Sequence, residues 1–308
     1  MTAFLFAGQG VEPPWVSPEL LADPCIAELV GVAGEAAGCD VRRLLARGGR
    51  ELARTEVLQP ALVAVCLGID RRLARAGLRP SIVLGHSLGE LAAWAAAGGI
   101  SAEDAIRLAA KRGALMAREA ARRPGGMLRV TCDRGTCERL VAEATGAGAI
   151  CIAAHNAPEE WVVGGDPAPI AWLAARLPSA RLAVAGAWHS PAMAGAAAEF
   201  TAAIAAVPQR APRARMIANR DGRFVDGADV PERLAGQLVR PIEWVASLAT
   251  LASALPAPAR LLAIGPGKLL RRLVRDCLGD AREVEIVDGE RAIAGATRGT
   301  RAGPHAVS

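Results

Sequence analysis

The sequence predicts an α/β protein, a parallel-sheet core interrupted by a small inserted unit. Three observations carry that prediction. Short apolar runs alternate with stretches of helical period toward both ends of the 308-residue chain. The rhythm changes after Pro124-Gly125-Gly126, where strand-like runs crowd together. The segment GHSLGE, residues 85–90, joins a predicted strand to a predicted helix through a serine flanked by glycines.

Taken in order, AFLFAG (3–8) reads as a buried strand ending in a tight turn. Residues 55–77 carry a helical stripe of Leu58, Leu62, Val65, Cys66 and Ile69. SIVLG (81–85) is a second buried strand, and 91–97 a helix of small residues. Ser101 opens the next helix, with Asp104 three positions on as in a capping box. On that helix Arg112 and Met116 share a face.

The different rhythm then begins: strand 127–131, helix 134–146, strands 149–155 and 160–165, helix 167–177 and strand 181–186. That βαββαβ order is the ferredoxin-like split unit. It sets expected boundaries of 122–186 for an inserted subdomain and of 1–121 with 187–288 for the core. Residues 190–206 are helical again, and RARMIAN (213–219) and RLLAIGP (260–266) are two more buried strands. Residues 289–308, small and polar, are expected to be a disordered tail.

Composition narrows the function. The net charge is +5 and aromatics make up only 3%, with no tyrosine, which argues against nucleic-acid binding. A mildly basic surface suits an acidic protein partner or a phosphate-bearing cofactor. No apolar run approaches a membrane span, and the start of the chain lacks a basic leader, so a cytoplasmic protein with no membrane role is expected. Seven cysteines without a CxxC pair, and four histidines, give no metal pattern and imply reduced thiols.

A serine hydroxyl needs a base. His86 adjoins Ser87 and should point away from it, and His305 lies in the tail. His155 follows a strand of the insertion. His189, in AGAWHSPAM, returns the chain toward the main sheet and is the candidate base. Asp166 lies between Ser87 and His189, as the hydrolase order of Ser, acid and His would ask, but its GGDP turn marks it as a helix cap. Something other than a carboxylate must orient the imidazole.

GQG (8–10), QPAL (59–62), GHSLGE, RGALM (112–116), HNAP (155–158), WHSPAM (188–193), QLVRPIEW (237–244) and IGPGKLL (264–270) stand in order. Together they resemble malonyl-CoA:acyl-carrier-protein transacylases and the acyltransferase domains of polyketide synthases, over about residues 2–288. The resemblance implies a hydrolase-like core with a ferredoxin-like insertion. It makes Ser87 the acylated nucleophile and His189 the base. It makes the Gln237 backbone carbonyl the group that holds the imidazole. Gln9 becomes the oxyanion-hole residue, with the Leu88 backbone N–H as second donor, each worth roughly 3–4 kcal/mol in comparable sites. Arg112, 25 residues after Ser87, matches the arginine that grips the free carboxylate of malonate. Met116, Trp188, Asn156 and Gln59 become candidate substrate-binding residues.

By the same resemblance the substrates are a CoA thioester and the phosphopantetheine arm of an acidic acyl carrier protein, with no bound cofactor or metal and a monomeric enzyme. Val11-Glu12-Pro13-Pro14 after GQG depart from the family pattern. Trp188 is bulkier than the usual residue and should exclude α-branched acyl groups. Lys268, Arg271, Arg272 and Arg275 are either a carrier-docking face or an ordinary solvated one. Three alternatives stay open: an editing hydrolase using the same Ser–His site, transfer of an unusual acyl group between carriers, and a non-catalytic scaffold.

Overall fold

The computed structural model describes residues 1–9, 16–225, 227–256, 258–280 and 282–298. The departure at Val11–Pro14 therefore lies outside the described residues. The first apolar run forms β1 (Thr2–Phe6), which is followed by α1 (Pro18–Ala22), α2 (Pro24–Ala37), α3 (Val41–Arg47) and α4 (Thr55–Arg75). Then come β2 (Ile82–Gly85), α5 (Gly89–Ala96) and α6 (Ala102–Arg122). The Ser101 side chain caps α6 by accepting from the Asp104 N–H at 3.0 Å.

The inserted stretch supplies β3 (Gly126–Thr131), α7 (Arg134–Ala144), β4 (Ile150–Ala157), β5 (Glu160–Gly165), α8 (Pro167–Ala174) and β6 (Ser179–Arg181). The chain continues with α9 (Ala194–Ala205), β7 (Arg215–Ile217), β8 (Phe224–Val225), α10 (Val230–Gly236) and β9 (Ile242–Glu243). It closes with α11 (Trp244–Ala254), β10 (Arg260–Ile264), α12 (Lys268–Leu278), β11 (Val284–Val287) and α13 (Glu290–Thr297).

Two sheets result. The larger has the order β11-β10-β1-β2-β7-β8 and is parallel except for β8. Its central strand β1 is buried on both faces, with Ala3, Phe4, Leu5 and Phe6 all 0% exposed, as parallel strands under helices must be. The smaller sheet runs β6-β3-β5-β4-β9. Its first four strands keep the ferredoxin-like order. The fifth, β9, comes from the far side of the insertion and pairs parallel with β4 through Ala154–Ile242 and His155–Glu243.

Three expectations are corrected. The strand expected over 181–186 is β6 and ends at Arg181; beyond it Leu182 and Val184 turn to line a cavity, which accounts for their apolar alternation. His155, expected to follow a strand of the insertion, lies within β4, as does Asn156. The tail expected to be disordered from residue 289 begins with α13, whose Ile293 and Ala296 are buried against the core; residues 299–308 lie outside the described residues. Among the described residues no helix is long and apolar enough to cross a membrane.

Candidate active site

The serine turn is built by close backbone approach. A Cβ on Gly85 would stand 2.0 Å from the Gly89 carbonyl carbon, and one on Gly89 would stand 2.2 Å from the Phe6 carbonyl oxygen. Only glycine fits at either place, and this lets β2 reverse into α5 within three residues. Ser87 is left at the crest with φ 51°, a left-handed conformation that costs a non-glycine residue about 1–2 kcal/mol. Its N–H donates to Asn219 Oδ1 at 2.7 Å, and Asn219 Nδ2 donates to the Gly85 carbonyl at 2.6 Å. Asn219 lies two residues beyond β7 and so ties the elbow to the neighbouring strand.

His189 reaches Ser87 from the other side. The Ser87 hydroxyl lies 2.8 Å from His189 Nε2, and His189 Nδ1 lies 2.8 Å from the Gln237 carbonyl oxygen. A carbonyl only accepts, so Nδ1 carries the hydrogen and Nε2 is the free acceptor. His189 also has a left-handed backbone, φ 56°; it and Ser87 are the only non-glycine residues with positive φ among those described. Burial, then the nearby Arg112 cation, pushes the imidazole pKa down to about 3, so the ring is a neutral base at physiological pH.

Arg112 projects from α6 and is 2% exposed. Its Nη2 donates to Ser87 Oγ at 3.2 Å and to Gln237 Oε1 at 2.9 Å; its Nη1 donates to Gln59 Oε1 at 2.9 Å. No carboxylate pairs with it among the described residues, so the guanidinium is held only by neutral acceptors. Gln59 in turn donates to Thr55 Oγ1 at 2.8 Å and faces Met116 Sδ at 3.4 Å. Gln59 is 0% exposed and stands behind Arg112 and off the cavity wall, a correction to its expected contact with substrate.

The Leu88 N–H and the Gln9 N–H donate to no acceptor among the described residues. The Gln9 side chain accepts from Thr55 Oγ1 at 3.0 Å. His86 points away from Ser87, its Nε2 2.9 Å from Asn156 Oδ1 and its ring edge-on to Trp244. Asp166 stands at the N-cap position of α8 but its side chain makes no cap bond there; it pairs with Arg123 at 2.9 Å and accepts the Ala149 N–H.

Gln9, Ser87, Arg112, Met116, Asn156, Trp188 and His189 all line one cavity of about 290 Å³ between the two sheets. Trp188 is 5% exposed, and the far edge of its ring packs where a Gly186 Cβ would go. Three residues of the site were not found by sequence reasoning, and of these only Glu160 lines the cavity. Glu160 is gripped by Arg272 at 2.8 and 2.9 Å and by Arg129 at 3.2 Å. Burial opposes its ionisation, but Arg272 and Arg129 hold its carboxyl below the usual range. Glu90 and Asn219 were also missed. Glu90 Oε1 accepts the Asn219 N–H at 2.6 Å and Oε2 accepts from Gln237 Nε2.

A strained elbow serine, a neutral imidazole fixed by a carbonyl, two backbone donors without an acceptor among the described residues and a buried cation are the parts that serine acyl transfer needs. The comparisons agree. The model of the acyl transferase domain family matches residues 3–288, and the chain belongs to that family. It is 38% identical over 261 residues to a malonyl CoA-acyl carrier protein transacylase of Mycobacterium bovis, covering 82% of this chain and 85% of the relative. It is 35% identical over 309 residues to polyketide synthase GfsB of Streptomyces halstedii; this covers 94% of this chain but only 5% of that synthase. Among solved structures, a malonyl-transacylase in complex with its type II polyketide acyl carrier protein superposes with a TM-score of 0.89 at 27% identity, over 97% of this chain and 99% of that one.

Proposed function

We propose that this acyltransferase moves a malonyl group from CoA to the phosphopantetheine thiol of an acyl carrier protein, in fatty-acid or polyketide biosynthesis. The observation that carries the reading is one cavity that holds the Ser87–His189 pair at 2.8 Å, with a guanidinium that has no carboxylate in direct contact among the described residues 3.2 Å from the same hydroxyl. An acyl group on Ser87 with a second, charged end has a partner in Arg112.

In the first half-reaction Ser87 Oγ attacks the thioester carbonyl while His189 Nε2 takes its proton. Negative charge develops on the carbonyl oxygen, where the Leu88 and Gln9 N–H groups are the donors. The C–S bond breaks, and His189 returns the proton to the CoA sulfur. In the second half-reaction the carrier thiol gives its proton to His189 and attacks the malonyl-serine ester. The C–O bond breaks and Ser87 recovers the proton. The Gln237 carbonyl keeps the imidazole in the required tautomer throughout. Met116, Trp188 and Asn156 form the wall around the acyl chain, and Trp188 leaves little room for a branch at the α-carbon.

The carrier docks at the outer face of α12. There Lys268, Arg271, Arg272, Arg275 and Arg282 surround a depression, and Arg272 reaches from it to Glu160 in the cavity. CoA thioesters and carrier proteins place the reaction in the cytoplasm, with the enzyme working as a monomer and holding no cofactor of its own.

The experiment is incubation with a panel of acyl-CoAs, with and without carrier protein, followed by intact-protein mass spectrometry and free-acid analysis. Malonyl on Ser87 that leaves only when carrier is present is the expected result. Free malonate without carrier would make the enzyme a hydrolase, and no adduct at all would leave a scaffold.

A further inference from the structure

The mechanism uses Arg112 but leaves a buried acid beside it unexplained. Glu90 opens α5 one residue beyond the elbow's second glycine and is 1% exposed. Its two oxygens are spent on two different parts of the site. Oε1 accepts from the backbone of Asn219, the residue that pins the Ser87 N–H. Oε2 accepts from Gln237 Nε2, and the Oε1 of that same amide accepts from Arg112 Nη2 at 2.9 Å. Carboxylate, amide and guanidinium thus form a line, each dipole pointing the same way. In the resting site Glu90 is the nearest negative charge joined to Arg112 by hydrogen bonds.

We propose that Glu90 is the resident counter-charge of Arg112, and that a malonyl carboxylate arriving at Arg112 drives a proton from solvent onto Glu90. The inference rests on the reading that Arg112 holds that carboxylate. Its physical basis is reciprocity. Two anions compete for one buried cation, so occupancy by one favours neutralisation of the other, and a neutral Glu90 favours malonyl binding.

Glu90 is poised for this exchange. Burial raises its pKa to about 7, while the Asn219 N–H, the Gln237 amide, Arg112 and Arg233 pull the other way. The charged groups that face it from neighbouring elements are Arg112 of α6 and Arg233 of α10, and Arg233 is paired with Asp221 at 2.7 Å. The two nearby imidazoles, His86 and His189, are both held neutral by burial. An added anion at Arg112 therefore has Glu90 as its titrating neighbour. Acylation by itself is proton-neutral, because the serine proton leaves on the CoA thiol, so any net uptake reports the site.

The test is proton uptake during the acylation burst, read with an indicator dye in weak buffer between about pH 6 and 8 and divided by acyl-serine from intact mass. Malonyl-CoA should take up about half a proton per acylated Ser87 near pH 7, and acetyl-CoA essentially none. Glu90→Gln should abolish the malonyl-linked uptake. Glu90→Asp, which keeps a titrating carboxylate, should retain part of it. If Glu90→Gln does not fold, the malonyl-minus-acetyl difference in the unaltered chain decides the matter.

Malonyl-serine formed without that difference overturns the inference, as does full uptake in Glu90→Gln. The malonyl-to-acetyl rate ratio of Arg112→Ala separates the two levels. An unchanged ratio removes the carboxylate clamp and this inference with it. A reduced ratio with no proton uptake in the unaltered chain removes the inference alone.

Discussion

Replacing Arg112 is the perturbation that most directly tests the substrate reading. The guanidinium is 2% exposed, with both terminal nitrogens held by neutral oxygens at 2.9 Å, so it is already aimed and already stripped of water. Removing it leaves a malonyl carboxylate buried without a partner. Loss of one member of a buried, hydrogen-bonded charge pair costs about 2–5 kcal/mol. At about 1.4 kcal/mol per decade, that is a loss of about 30-fold to several-thousand-fold in malonyl acylation. Acetyl has no carboxylate and loses only the influence of the 3.2 Å contact to Ser87 Oγ. A single hydrogen bond of that kind is worth about 1 kcal/mol, or roughly fivefold. The malonyl-to-acetyl ratio should therefore fall by about fivefold or more. The assay is single-turnover acylation by rapid quench and intact mass spectrometry, run on Arg112→Ala and on Arg112→Met, which refills the volume. Parallel losses for the two substrates in both variants would refute the argument.

Other outcomes follow from the same geometry. His189 stays neutral until far below its ordinary range, because the folded site depresses its pKa to about 3. Acetyl-CoA acylation should accordingly be level from about pH 5 to 8, and a half-loss near pH 6.5 would contradict the buried, cation-flanked ring. Trp188→Ala should admit methylmalonyl-CoA as an acyl donor in the same mass assay; continued exclusion would place the branch filter elsewhere. Asn219→Ala removes the acceptor of the Ser87 N–H and the donor to Gly85, each loss costing about 1–3 kcal/mol at a buried site. A thermal melt should shift down clearly, and an unchanged melting temperature would show that the elbow holds its left-handed turn unaided.

The reacting groups were legible because each sits in a short, chemically marked segment. GHSLGE declares a serine between obligatory glycines, and WHSPAM follows the last strand of the insertion. Apart from the Gln237 carbonyl, which the family resemblance implied, what holds those groups was not legible, because it is bought by long-range pairs between unremarkable residues. Glu90 meets Asn219 across 129 positions, and no local pattern announces that contact. Gln59 was found by its motif but misplaced by one layer, since only coordinates separate a wall residue from the one bracing it. The helices α1 and α2 had signals that went unread: Ser17-Pro18 and Asp23-Pro24 each pair a capping side chain with a proline at the first turn. The two-residue β9 carries no periodicity at all, and its existence is set wholly by what β4 offers it.

That short strand has a practical consequence. Because Ile242 and Glu243 complete the smaller sheet, the lobe is stitched to the remainder of the chain at a third point, remote from both of its covalent joins. A chimera that transplants only residues 122–186 from a relative would ask a foreign edge to accept the host's stitch, one residue before the α11 tryptophan on which His86 rests. Exchange of acyl selectivity by grafting should work best when the 237–244 segment travels with the graft.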